Sequence, residues 1–203
     1  MSDSSLSYHK KIRRKLEENF LSTIKNALTN DVLRLRENRV LIKDECMMKI
    51  GTVYSPRCDV AVGPFSYRNK NYNSLYLRLA DLPSITSFIN NLRTTSLVTV
   101  NETDFFDYNN NPRCFMSIEV EDRTARDVKH LLGSMMNCSL MGKLGILVVS
   151  DRHLANATRL LRYLHFVKRV GKIRAELFTN VFVVPKNCLN ELLQISDIQT
   201  LIS

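Results

Sequence analysis

Residues 115–121 read Phe115-Met116-Ser117-Ile118-Glu119-Val120-Glu121, and a helical run extends from Arg123 to Met141 directly after them. In a strand, residues two apart share a face and lie about 7 Å apart, so Glu119 and Glu121 project to one side while Ile118 and Val120 project to the other. Two carboxylates on one face cost little on an open sheet. Under a covering helix they repel and lose hydration, which costs several kcal/mol unless something positive intervenes. If this strand is central, the carboxylates need a cation.

The C-terminal segments predict a central position. In 124–141, Val128, Leu131, Leu132, Met135, Met136 and Leu140 recur at helical spacing, and Gly133, Ser134, Ser139 and Gly142 keep the helix slim enough to lie close to a sheet. Residues 144–149 form an unbroken apolar run, the signature of a strand buried on both faces. A helix over 153–170 comes next, with Leu154, Ala157, Leu160, Leu161, Leu164 and Val167 inward and Arg159, Arg162, Lys168 and Arg169 outward. A second buried strand, 181–185, and a last helix, 187–195, complete the alternation. The expected class is α/β, a central mixed sheet with a parallel part and helices on both faces.

The first half reads as a helix over 6–29, with Leu6, Ile12, Leu16, Phe20, Ile24 and Leu28 on one side. Lys10, Lys11, Arg13, Arg14 and Lys15 crowd the other side, either to meet phosphates or as a solvated face. A strand is expected around 39–43. Another spans 58–62, where Cys58, Val60 and Val62 share a face and Asp59 lies on the opposite one beside Ala61. Residues 75–79 read as a strand, a short helix starts near Pro83, and 97–100 reads as a strand before the turn at Asn109-Asn110-Asn111-Pro112. The 203 residues are read as one domain with an insertion at about 66–112.

The formal net charge of +9 favours a polyanionic partner, with nucleic acid before an anionic membrane surface. The five cysteines are scattered and contain no C-x-x-C, and the four histidines show no metal-ligand spacing, which argues against a disulfide framework and a zinc site and suits a reducing cytoplasm. Residues 1–5 lack the order of a signal peptide, and 144–149 is far shorter than the roughly 20 residues that cross a bilayer, so an intracellular chain without a membrane segment is expected. No G-x-G-x-x-G or G-x-x-x-x-G-K-[ST] occurs, which sets aside a Rossmann or P-loop nucleotide site.

Asp59 in Ser55-Pro56-Arg57-Cys58-Asp59, taken with Glu119-Val120-Glu121, resembles the PD-(D/E)xK (restriction endonuclease-like) nuclease superfamily. The resemblance implies a helix-strand-strand-strand-helix-strand core, with the aspartate opening the second core strand and the acidic pair in the third. It implies Asp59, Glu119 and Glu121 as ligands of Mg2+, with Mn2+ as the alternative, and hydrolysis of a phosphodiester, in DNA rather than RNA. It also implies a homodimer, since two strands of a duplex must be cut.

Arg57 and Cys58 precede Asp59 where the motif's name puts a proline. Glu121 takes the place of the motif's lysine, a Glu-x-Glu variant that some restriction enzymes use. In other branches the next helix supplies the lysine, and Lys129 is then the match. Glu17 or Glu18 on the first helix corresponds to the further metal contact found in some relatives. The missing lysine keeps open an inactive nuclease fold that binds nucleic acid or assembles a complex. The blandest competing reading makes Glu119 and Glu121 the wet face of a half-exposed strand, Asp59 the end of a loop and the net charge ordinary surface, and it is favoured if Asp59 lies far from Glu119.

Overall fold

Strands that are apolar on both sides need cover on both sides, and this chain supplies it. The computed structural model describes residues 7–47, 56–66, 71–97, 109–122, 128–174 and 177–195. In order these form α1 (Tyr8–Ala27), α2 (Asn30–Leu33), a 3-10 turn (Arg36–Asn38), β1 (Ile42–Met47), β2 (Arg57–Val62), α3 (Asn73–Ala80) and α4 (Pro83–Thr95). There follow β3 (Cys114–Glu121), α5 (Val128–Met141), β4 (Gly142–Val149), α6 (Asp151–Arg169), β5 (Val181–Pro185) and α7 (Lys186–Leu193).

One five-stranded sheet has the order β1-β2-β3-β4-β5. The β1–β2 and β2–β3 pairs are antiparallel, and β3–β4 and β4–β5 are parallel. The mixed α/β sheet expected from the alternation is therefore present. Every residue of β4 is buried: the apolar run 144–149, as a strand covered on both faces requires, and Gly142 and Lys143 before it.

One face carries Val60, Val62, Ile118, Ile146 and Val148 against α1, α3, α4 and α7. On the other, Leu147, Val149, Val181 and Val183 pack against α5 and α6. The inner stripe of α1 is Ile12, Leu16, Phe20 and Ile24, four residues apart, so one side of the helix faces the sheet throughout. Helices α3 and α4 lie within the expected insertion, yet Tyr76, Leu79, Ile85 and Leu92 enter the same core as α1. Among the described residues no helix is long and apolar enough to cross a membrane.

Helix α5 passes into β4 with no loop, and two asparagines make this possible. The last carbonyls of a helix have no partner within it. Here the Asn109 side-chain amide donates to the carbonyls of Ser139, Leu140 and Gly142 at 3.0–3.1 Å. The buried Asn180 amide donates to those of Ser139 and Gly142 at 3.1 Å. The helix also sits close to the sheet. A Cβ on Gly142 would stand 2.5 Å from Ser117 Oγ, and one on Gly145 would stand 2.9 Å from Cys138 Cβ. Gly133, expected at this contact, has nothing within 4 Å of where its Cβ would be and is not part of it.

Several elements differ from the sequence reading. Residues 75–79 are helical, because Leu75, Tyr76, Leu79 and Ala80 are buried at helical spacing rather than by alternation. The strand expected at 39–43 begins at Ile42, after the 3-10 turn. Of the strand expected at 97–100, residues 98–100 lie outside the described residues. Leu97 N–H does donate to the Val183 carbonyl at 2.8 Å, which brings the chain to the β5 edge.

Candidate functional site

Strands β2 and β3 are in register through Val60↔Ile118, Ala61↔Ser117 and Val62↔Met116. The next residues outward are Asp59 and Glu119, which therefore leave the paired stretch opposite each other. Both share a face with Ala61 and Ser117, the face covered by α5, where Ser117 Oγ donates to the Cys138 carbonyl. Asp59 Oδ2 accepts the Val120 N–H at 2.7 Å, so this carboxylate ties the two strands together where their pairing ends. The competing picture of an isolated Asp59 does not hold.

Glu119 is 6% exposed. Asn137 Nδ2 of α5 donates to its Oε1 at 3.1 Å, and Ser134 Oγ, one turn earlier, donates to Glu121 Oε1. Helix α5 runs antiparallel to β3, so Ser134, Asn137 and Cys138 meet Glu121, Glu119 and Ser117 in turn. Each of the three carboxylates thus has one oxygen held by a donor, leaving its second oxygen for another donor or a cation.

Burial raises the Glu119 carboxyl to about 8, with the negative charges of Asp59 and Glu121 adding to the rise and the Asn137 hydrogen bond opposing it. The same charge is felt nearby. The Cys58 and Cys138 thiols are pushed up first by burial and next by Glu119. Glu45 sits across from Asp59 on β1, between the Asp44↔Val60 and Cys46↔Cys58 pairs. Its φ of 47° turns it toward Arg57 and His9, so it does not enlarge the cluster.

Among the described residues no group of three or more His, Cys, Asp and Glu side chains is gathered closely enough to hold a metal ion. The donor set suits a hard cation all the same. It offers carboxylate oxygens, and the charges that act on the buried Glu119 from Asp59 and Glu121 are both negative. Asp59 and Glu119 are the pair that could hold such an ion, and Glu121 lies at the end of the row.

The remaining expected residues fall elsewhere. Glu17 pairs with Arg13 at 3.8 Å, and Glu18 pairs with Arg14 and Lys15 at 3.2 and 2.9 Å. Both sit on α1, which covers the opposite face of the sheet, so the structure does not bring them to Glu119. Arg13 also pairs with Asp44 at 3.0 Å, so much of the basic run on α1 is neutralised within the protein. Lys129 lies on the exposed first turn of α5, five residues and about 7.5 Å along the axis before Ser134.

The sequence reading did not single out Ser134 and Asn137 as donors to Glu121 and Glu119, nor His130 one turn before Ser134 on the same helix. These three are spaced i, i+4 and i+7, one helix face, opposite two carboxylates spaced i, i+2, and that coincidence of periods was the available signal. Compared with models of known protein families, with curated proteins and with solved structures, the chain has no match in any of the three.

Proposed function

We propose that the chain is a metal-dependent nuclease with a restriction endonuclease-like core, hydrolysing phosphodiester bonds, DNA before RNA. The observation that carries the reading is the meeting of Asp59 and Glu119 on the covered face of β2 and β3, with Glu119 buried and its carboxyl raised to about 8. The element order α1-β1-β2-β3-α5-β4, with its two antiparallel pairs followed by a parallel one, supports it.

Asp59 and Glu119 are the pair to hold Mg2+ or Mn2+, with Glu121 at the end of the row rather than gathered around the same point. A bound ion there supplies Lewis-acid polarisation of the scissile phosphate and a more acidic water. The protein's own contribution is positional. Val120 N–H fixes Asp59, Asn137 fixes Glu119 and Ser134 fixes Glu121, each through one oxygen. Lys129 stands beyond the Glu121 end of the row, where a flexible cationic side chain can approach the charge that develops on phosphate. Glu121 in place of the motif's lysine favours a second reading, a nuclease fold that binds nucleic acid without cutting it. Incubation with plasmid, linear duplex, single strands and RNA, in Mg2+, Mn2+ or EDTA, separates the two readings: ion-dependent cleavage lost in Glu119→Gln supports the first, and salt-sensitive binding with no cleavage supports the second.

A further inference from the structure

The net charge of +9 is not evenly spread. Residues 151–174 carry seven Lys and Arg against the single acid Asp151, which concentrates an excess of six positive charges in α6 and the turn after it. On α1 the basic residues Arg13, Arg14 and Lys15 have carboxylate partners. On α6, by contrast, Arg152, Arg159 and Arg162 are exposed and form no ion pair among the described residues.

Helical geometry gathers these residues. At 100° per residue Arg152, Arg159, Tyr163, Phe166 and Val170 fall within about 60° of one another, and Arg162 borders them. The stripe is exposed and flanks the buried row of Ala157, Leu160, Leu164 and Val167, about 100° round the helix from its centre, with Arg162 on the side opposite that row. Tyr163 is 60% exposed and Phe166 47%, large aromatic rings that the core does not use. The Arg169 guanidinium stands 6.0 Å from the Phe166 ring centroid.

The stripe also begins beside the carboxylates. Ser150 N–H, directly before α6, donates to the Glu121 carbonyl at 3.2 Å, and Arg152 is two residues further on. From there the stripe extends about 27 Å.

We infer that the outer face of α6 is a binding surface for single-stranded nucleic acid, with the arginines along the phosphates and Tyr163 and Phe166 stacked on bases. Unpaired bases present the π-faces that exposed aromatic side chains accept, and interleaved arginines supply the electrostatic track. A second copy of the chain is disfavoured as occupant, because two such faces repel. An anionic membrane is disfavoured because an interfacial helix buries a broad apolar face in lipid, and the apolar face of α6 is already buried in the protein. The inference names the substrate class for the nuclease reading and, on that point, rests on it.

The experiment is anisotropy of a labelled single strand of about 20 nucleotides, titrated with full-length protein in EDTA over a range of salt. Tyr163→Ala/Phe166→Ala weakens binding by roughly 5-fold or more with the salt slope unchanged. Arg152→Ala/Arg159→Ala/Arg162→Ala weakens binding and lowers the slope by about 2. Arg34→Ala/Arg36→Ala/Arg39→Ala removes equal charge from another exposed surface and leaves binding within about 2-fold. All substituted side chains are exposed, and circular dichroism verifies folding. The inference is overturned if the aromatic variant binds like wild type, if the control triple loses as much as the α6 triple, if duplex of the same length binds more tightly, or if vesicles rich in phosphatidylserine are bound and oligonucleotides are not. Because EDTA suppresses hydrolysis, failure of the nuclease reading leaves this binding result intact. Ion-dependent cleavage of single strands that is unchanged in both α6 variants overturns this inference alone.

Discussion

Replacement of Glu119 by Gln tests whether the buried carboxylate is held at a cost that a cation relieves. Its carboxyl is raised from the ordinary 4.5 to about 8 in the folded protein. The folded state therefore binds this proton more tightly than the unfolded chain does. The stabilising contribution is complete below pH 4.5, declines as pH rises, and is gone above about 8. At about 1.4 kcal/mol per pH unit the loss is on the order of 4–5 kcal/mol, or roughly 8–20 °C in Tm for a chain of this size. Gln keeps the shape and the acceptor for Asn137 Nδ2 but has no proton to lose. Thermal unfolding at a series of pH values, in EDTA, thus gives similar Tm for wild type and Glu119→Gln near pH 5 and a progressively more stable variant toward pH 8. Parallel curves across that range refute the reasoning, since they mean that Glu119 ionises as an exposed carboxylate does.

The surroundings of Glu119 set further expectations. Asp59→Asn keeps an acceptor for the Val120 N–H while removing one of the charges that raise Glu119, so the decline in stability above pH 4.5 ends at a lower pH and is smaller than in wild type, as read from the same unfolding series. Gly142→Ala places a Cβ 2.4 Å from the Leu144 carbonyl and 2.5 Å from Ser117 Oγ, and costs about 1–3 kcal/mol or more in denaturant unfolding. Lys129→Ala lowers ion-dependent cleavage by on the order of 100-fold while leaving oligonucleotide binding in EDTA near wild type, as expected for an exposed cation that acts on the charge developing at phosphate. At pH 8, Mg2+ raises the Tm of wild type and not that of Glu119→Gln.

The second half of the fold was legible because its signals are redundant. The unbroken apolar run of β4 and the inner stripe of α6 each admit one reading, and Val181–Pro185 is a strand with the expected bounds. Leu75-Tyr76-Leu77-Arg78-Leu79 is too short and too apolar for periodicity to choose between helix and strand, and the core under α1 and α4 decided it. Within the site, the shared face of Glu119 and Glu121 follows from strand geometry alone. That Asp59 meets Glu119 depends on the antiparallel register of β2 and β3, a long-range pairing no local pattern encodes. The roles of Asn137 and Ser134 needed the close approach of α5 to the sheet. Glu17 and Glu18 were misdirected for a related reason: helix periodicity tells which side of α1 is wet, but not which face of the sheet α1 covers.

The most direct measurement is hydrolysis itself. Wild type and Glu119→Gln are incubated with single-stranded and duplex DNA and with RNA, each in Mg2+, Mn2+ or EDTA, and the products are resolved by length. If Asp59 and Glu119 hold a cation at a scissile phosphate, wild type cuts at least one substrate with an ion present, EDTA abolishes the cutting, and the variant is inert while remaining folded. Cleavage that persists in Glu119→Gln contradicts a catalytic cation at this pair, and so does wild-type protein that cuts nothing under any of these conditions.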